Sequence, residues 1–342
     1  MINAQSPYIR LISSSDQTVG IEDTVDFEVY FSEAIALSGV PPYLELSNGA
    51  QAQYVSGAAS QQWLFRYTVA ENDISSEQLS VSDMVLGDDT QLLSFLGNGS
   101  ASTTVSERLQ ALSTYDVRVD TVRPEGVISF DTDSLSAGEV ANVTITFAEP
   151  VLDPSLALLV DNGSISSLVT EETSALGTVW KGVFTPSQGV ELSDYSLQLD
   201  NRLVRDYAGN TGVSITQSAP VMIDTLGPVA QISSSITATG ERVYTFDFGE
   251  LVSDLDVNDI VVSNGVKVSD SFETVVAGQV YRVTVTPPNN DIQSANGEVI
   301  VGLRRGSTRD AVGNINSSQS ITESWDVVAP RIVGVNAISG AY

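Results

Sequence analysis

The chain has 342 residues, 42% of them hydrophobic, enough for several small cores and against wholesale disorder; a prior of about 100–200 residues per domain allows two to four domains. The formal charge is −28, from 43 acidic and 15 basic residues, so phosphate backbones and anionic lipid are repelled and a cation is the better partner, although acidity also simply keeps a secreted protein soluble. Histidine and cysteine are absent, which removes an imidazole base, a thiol nucleophile and any zinc or copper site and leaves oxygen ligands suited to Ca²⁺ or Mg²⁺.

Met1–Ser6 lacks a basic stretch followed by an apolar one, so it is not a signal peptide and is read as the cut end of a longer protein. No run of about 18 apolar residues follows, so no membrane span is expected. Pro7 precedes a first strand at Tyr8-Ile9. In the second strand, Val25, Phe27, Val29 and Phe31 alternate with Asp26, Glu28 and Tyr30, the period of two that turns one face to a core and the other to water. Phe31-Ser32-Glu33 closes that run, and Asn48-Gly49 marks a turn after Tyr43–Ser47. Trp63, Phe65, Tyr67 and Val69 alternate again, and residues 106–112 suit a single helical turn. The phrase Val119-Asp120-Thr121-Val122-Arg123-Pro124 then opens a second cycle. Val143, Ile145 and Phe147 form its second strand, with Glu149, Asn162-Gly163, Trp180 and Asp206-Tyr207-Ala208-Gly209-Asn210 after it. Ile223-Asp224-Thr225-Leu226-Gly227-Pro228 opens a third cycle, with Tyr244, Phe246, Phe248, Glu250, a helical turn near Asp254–Ile260, Asn264-Gly265, Tyr281 and Asp310-Ala311-Val312-Gly313-Asn314. Trp325-Asp326-Val327-Val328-Ala329-Pro330 closes it.

The spacing identifies a repeat. The prolines at 7, 124, 228 and 330 are 117, 104 and 102 residues apart, and the step from glutamate to aromatic is 30, 31 and 31 residues. The first repeat carries its extra residues in its last third, within 80–112. The expected units are 6–122, 123–226 and 227–328, with 329–342 the truncated start of a fourth. Turn residues punctuate each unit every 8–12 positions, as in antiparallel sandwiches. Asn162-Gly163 and Asn264-Gly265 are read as hairpin turns, since both residue types tolerate positive φ. The fold class is all-β: three tandem immunoglobulin-like antiparallel β-sandwiches arranged as an elongated rod, with Trp63, Trp180 and Tyr281 as core plugs between the sheets. A jelly roll or an up-and-down barrel would divide the chain less evenly.

The boundary phrase Asp-Thr-x-x-Pro, the Phe-x-Glu after the second strand and the Asp-x-x-Gly-Asn before the last strand resemble bacterial Ig-like repeats, which occur in giant adhesins, often of the RTX type. The resemblance spans most of the second and third units. The first unit lacks Asp-x-x-Gly-Asn, and Leu96-Gly97-Asn98-Gly99 is its nearest substitute. The resemblance implies an extracellular, extended protein displayed at the bacterial cell surface, often with Ca²⁺ at the junctions.

Chain direction supplies its own argument for such a site. In an antiparallel sandwich the end of the second strand and the loop before the last strand share the pole that faces the preceding linker. Asp120, Glu149 and Asp206 should therefore meet at the first junction, with Asp153 nearby, and Asp224, Glu250 and Asp310 at the second, with Asp254 nearby. Three crowded carboxylates repel unless a cation neutralises them, and Ca²⁺ takes six to eight oxygens in irregular loops. Each motif also has a second reading. Asp before a boundary caps a turn, Asp-x-x-Gly-Asn makes a tight turn, and Glu149 and Glu250 bond loop amides or pair with Arg205 and Arg309.

No carboxylate pair is set apart as a glycosidase acid and nucleophile, and Lys181 and Lys267 are the only lysines available for an intramolecular isopeptide bond. The expected protein is thus not an enzyme. It reads as a monomeric spacer or stalk whose partners are the neighbouring repeats, with no nucleic acid and no membrane contact. A ligand-binding role for the first unit, toward a surface glycan or a host protein, is the alternative, because its insertion enlarges a loop surface. Accessory modules of a secreted hydrolase are a third reading.

Overall fold

The computed structural model describes residues 6–106, 109–110, 115–174, 177–238, 241–287 and 297–325; the expected start of a fourth repeat lies outside them, as does most of the helical turn expected at 106–112. Among the described residues the elements are strands and short helical turns, and no helix is long and apolar enough to cross a membrane. Apolar side chains gather in three separate cores, spanning Ile9–Val119, Ile128–Ile223 and Ala230–Leu303. The architecture is three tandem immunoglobulin-like β-sandwiches.

The first unit contains β1 (Ile9–Ser13), β2 (Gln17–Val19), β3 (Thr24–Ser38), β4 (Tyr43–Leu46), β5 (Gln51–Ser56), β6 (Ser60–Thr68), β7 (Val81–Val85), β8 (Gln91–Ser94) and β9 (Val117–Val119). Its main sheet runs β1-β3-β6-β5-β4-β7, with β2 parallel to β9. The alternation read from the sequence is the burial pattern: Val25, Phe27, Val29 and Phe31 on β3, Trp63, Phe65 and Tyr67 on β6, and Val69 just after it are all buried. β3 continues well past Phe31, and its far half pairs with β8, so Glu33 lies inside a strand rather than at its end. The insertion thus adds a strand between β7 and β9, in the connection that carries Asp-x-x-Gly-Asn in the other units.

The second unit contains β10 (Gly126–Phe130), β11 (Ser134–Ser136), β12 (Ala141–Phe147), β13 (Leu158–Leu159), β14 (Gly163–Ile165), β15 (Val169–Ser174), β16 (Gly177–Pro186), β17 (Glu191–Tyr195), β18 (Gln198–Asp200), β19 (Ile215–Gln217) and β20 (Val221–Asp224). One sheet runs β10-β12-β16-β14, with β15 also on β16; opposite it lie β11-β20-β17 and β13-β18-β19. The breaks between β17 and β18 and between β19 and β20 coincide, because Pro220 has no N–H for a ladder. Ser218 bridges the gap, donating its N–H to the Leu197 carbonyl at 2.9 Å and accepting the Leu197 N–H on its hydroxyl at 3.1 Å.

The third unit contains β21 (Gln231–Ile236), β22 (Arg242–Asp247), β23 (Ile260–Ser263), β24 (Val266–Lys267), β25 (Glu273–Val276), β26 (Val280–Thr286), β27 (Gly297–Leu303) and β28 (Gln319–Trp325). Its sheets are β21-β22-β26-β24, with β25 on β26, and β23-β27-β28. The turn expected near Asp254–Ile260 is a 3-10 turn at Val257–Asp259, closed by a capping box from Asp256 and Asp259. Lys267 Nζ donates to the Val257 and Ile260 carbonyls, and Lys181 pairs with Glu171, so both lysines serve as ordinary hydrogen-bond donors.

Two sequence expectations need correction. Asn48-Gly49 does join a hairpin, β4 to β5, but Asn162-Gly163 and Asn264-Gly265 carry the chain from one sheet to the other. Only the asparagine has positive φ there, 50° at Asn162 and 56° at Asn264. The glycine serves space instead: a Cβ on Gly163 would lie 2.5 Å from Phe184 Cζ. The aromatic plugs also differ in depth. Each faces the second strand in register, Val29↔Trp63, Ile145↔Trp180 and Phe246↔Tyr281, but Trp63 and Tyr281 are buried whereas Trp180 is half-buried.

Trp63→Ala should therefore destabilise the first unit by about 3–5 kcal/mol, and Trp180→Ala should cost the second unit less. Gly163→Ala should cost about 1–3 kcal/mol through overpacking against Phe184. Calorimetric unfolding of the full chain checks all three.

Candidate cation site at the unit junctions

The three residues expected at the first junction do meet. Asp120, Glu149 and Asp206 each offer a carboxylate oxygen, and these oxygens lie within 4.8 Å of one another. Asp120 follows β9 directly; Glu149 lies just past the end of β12; Asp206 lies in the loop between β18 and β19. A short bridge joins the two loops, pairing Val151 with Asp206, while the Leu152 N–H donates to the Arg205 carbonyl at 2.8 Å. Strand direction therefore places both carboxylates at the pole that receives the linker.

Asp206 is only 2% exposed, and a buried carboxylate needs donors. Asn210 supplies them: its backbone N–H reaches Asp206 Oδ1 at 2.8 Å and its amide Nδ2 reaches Oδ2 at 2.8 Å. Gly209, at φ 97°, makes the turn between them. Asp120 caps the linker by accepting the Val122 N–H at 2.9 Å. The turn-forming reading thus accounts for both aspartates. It does not account for Glu149, which forms no ion pair with Arg205; burial, then the charges of Asp206 and Asp120, push its carboxyl up to about 7. Asp120 is also raised, by burial first and then by Asp206 and Glu77.

The second junction repeats the plan more openly. Asp310 Oδ1 accepts the Asn314 and Val312 N–H groups at 2.9 and 3.0 Å, and Asn314 Nδ2 reaches Oδ2 at 2.9 Å. Asp224 caps the Leu226 N–H at 3.1 Å. Burial, followed by Asp310 and Asp224, raises the Glu250 carboxyl, but Glu250 is exposed. Among the described residues, only the first trio brings its ligand atoms within 4.8 Å. Arg309 turns to the Gly313 carbonyl at 2.9 Å rather than to Glu250.

Asp153 and Asp254 stand outside both groups. Asp153 accepts the Ser155 N–H at 2.9 Å, and Asp254 adopts φ 69° on the surface. Sequence reasoning missed a fourth acid at each junction, supplied by the preceding unit. Glu77 raises Asp120, and Glu191, paired in register with Asp224, raises Asp224 and Glu250. Their shared signal was faint, a glutamate just before Leu79-Ser80 and before Leu192-Ser193. In the first unit Glu33 accepts the Asn98 amide at 2.8 Å, so Asn98 does stand near the equivalent glutamate, without an aspartate. A groove of about 1060 Å³ lies on the second unit between Leu159, Tyr195 and Gln217.

A raised carboxyl has a consequence for stability. An unfolded glutamate ionises near 4.5, whereas folded Glu149 holds its proton to about 7. The folded state binds more protons between those values, so the metal-free protein should lose stability as pH rises across that window. Glu149→Gln should flatten the loss, as thermal unfolding in EDTA from pH 5 to pH 8 would register.

A family model agrees with this architecture. The bacterial Ig-like domain model matches residues 120–223 and 224–327 in tandem. An I-band fragment of titin is 7% identical over 94% of this chain and 98% of its own, with a TM-score of 0.37. InvD of Yersinia pseudotuberculosis is 11% identical over 94% of this chain and 98% of its own, with a TM-score of 0.29. No curated protein matches the chain. With two matched copies filling more than half its length, each carrying the acidic pole described above, the chain belongs to the bacterial Ig-like domain family.

Proposed function

We propose that the chain is a spacer, or stalk, segment of a secreted or cell-surface bacterial adhesin, and that Ca²⁺ between successive units stiffens the string. The observation that carries the reading is the trio Asp120, Glu149 and Asp206, a half-buried cluster of like charge whose glutamate is left without compensation. Ca²⁺ relieves that repulsion and accepts irregular oxygen ligands, which suits two loops and a linker better than the strict octahedron of Mg²⁺. Asp224, Glu250 and Asp310 hold a second ion more weakly, because Glu250 remains in water. Tandem units that touch only their neighbours act in one dimension, so stiffness at each junction sets the reach of the whole.

Calcium should raise the melting temperature of the full chain relative to EDTA. At a hundredfold excess over Kd the stabilisation is about 2.7 kcal/mol. The double variant Glu149→Ala with Asp206→Ala should abolish the part that arises at the first junction, and an unchanged calcium response would remove both residues from the site. Calcium affinity should fall as pH drops below about 7, where Glu149 regains its proton. Small-angle scattering should show the maximum dimension changing when chelator is added.

A further inference from the structure

Two turns at the far pole of the first and second units are built alike. Gly20–Asp23 and Ser136–Glu139 each close with the fourth N–H on the first carbonyl at 3.2 Å. Their third residues, Glu22 and Gly138, have φ of 73° and 87°, which makes both type II turns. The acid at the fourth position accepts the first N–H, Gly20 to Asp23 Oδ2 at 3.0 Å and Ser136 to Glu139 Oε2 at 2.9 Å. The second N–H of the turn, on Ile21 or Ala137, has no partner within it. It points across the junction and donates to an asparagine of the next unit: Ile21 to Asn210 Oδ1, and Ala137 to Asn314 Oδ1, both at 2.7 Å.

Those asparagines are 4% and 3% exposed, and each is fully engaged. Asn210 Nδ2 donates to the Asp120 carbonyl at 3.0 Å and to Asp206 Oδ2 at 2.8 Å. Asn314 Nδ2 donates to the Asp224 carbonyl and to Asp310 Oδ2, both at 2.9 Å. Two acceptors on one side and one donor on the other permit a single amide orientation. We propose that Asn210 and Asn314 are inter-unit latches that hold the preceding unit's turn and the linker together and so set which orientation the docked units adopt. The surface fits a specific partner: a unit whose first strand breaks and resumes beside its last strand, as β11 does beside β20 and β2 beside β9. The third unit is not such a partner, since β21 runs on to Ile236 and pairs directly with Arg242 on β22.

The latch is tested on the full chain in EDTA, so that failure of the calcium reading does not bear on it. Asn210→Ala should speed amide hydrogen exchange at Ile21 roughly five- to tenfold, the worth of one ordinary hydrogen bond. It should leave Asp23, bonded inside the turn, unchanged. Ile21→Pro removes the donor from the other side, at a turn position proline favours, and alters no carboxylate. The chain has no cysteine, so spin labels on Gln53→Cys and Thr185→Cys report the distance between the first two units; Ile21→Pro should broaden its distribution. Exchange at Ile21 that is unchanged in Asn210→Ala, or that rises together with Asp23, would overturn the latch, as would a distribution in Ile21→Pro as narrow as that of the parent chain.

Discussion

The junctions depend on a buried aspartate whose hydrogen bonds come from an asparagine four residues later. In isolation a buried carboxylate is costly, and the usual remedy is an arginine or a lysine. Here Asp206 and Asp310 are satisfied by the backbone and amide N–H groups of Asn210 and Asn314. Neutral donors stabilise the charge without cancelling it, so the pole stays negative. The arrangement also leaves the asparagine oxygen unused within its own loop, and that oxygen is what reaches the preceding unit. One five-residue loop therefore sets the charge of the pole and its docking to the preceding unit.

The first unit shows what happens when that loop is absent. Its long connection between β7 and β9 carries β8, which pairs with an extended β3. Glu33 is drawn into the strand and meets Asn98, but no aspartate completes a cluster. The same sandwich thus supports two different poles, because the core lies between the sheets and leaves the connections free to vary. At its other pole the first unit is like the second: Gly20–Asp23 presents the same turn as Ser136–Glu139.

Much of this was legible because its signals are periodic or colinear. Alternation marked Val25 to Phe31 and Tyr244 to Phe248 as one-sided strands, and the antiparallel direction of the strands placed Asp120, Glu149 and Asp206 at one pole. Single turns were harder. Asn162-Gly163 obeys hairpin chemistry, yet the glycine is there because Phe184 needs the room, a long-range demand invisible in a dipeptide. Trp180 shares its place in the repeat with Trp63, but how deeply an aromatic is covered depends on the opposite sheet. Glu77 and Glu191 belong to the upstream side of each junction, where no strong motif shared between the units marks them. The docking of Ile21 on Asn210 spans 189 residues, a distance at which no local pattern operates.

Two kinds of force then meet at each junction, and they respond to different conditions. The latch is made of neutral groups and one fixed carboxylate, so salt and cation concentration should touch it little. The carboxylate cluster is the opposite: like charges a few ångströms apart oppose close contact unless screened or neutralised. Hydrogen bonds across the interface set which orientation is adopted, and the cluster sets how strongly that orientation is held under given ionic conditions. Because Glu149 is half-buried and Glu250 is exposed, water screens the repulsion at the second junction more than at the first. The two junctions of one chain should therefore differ in their response to a divalent ion while sharing one geometry.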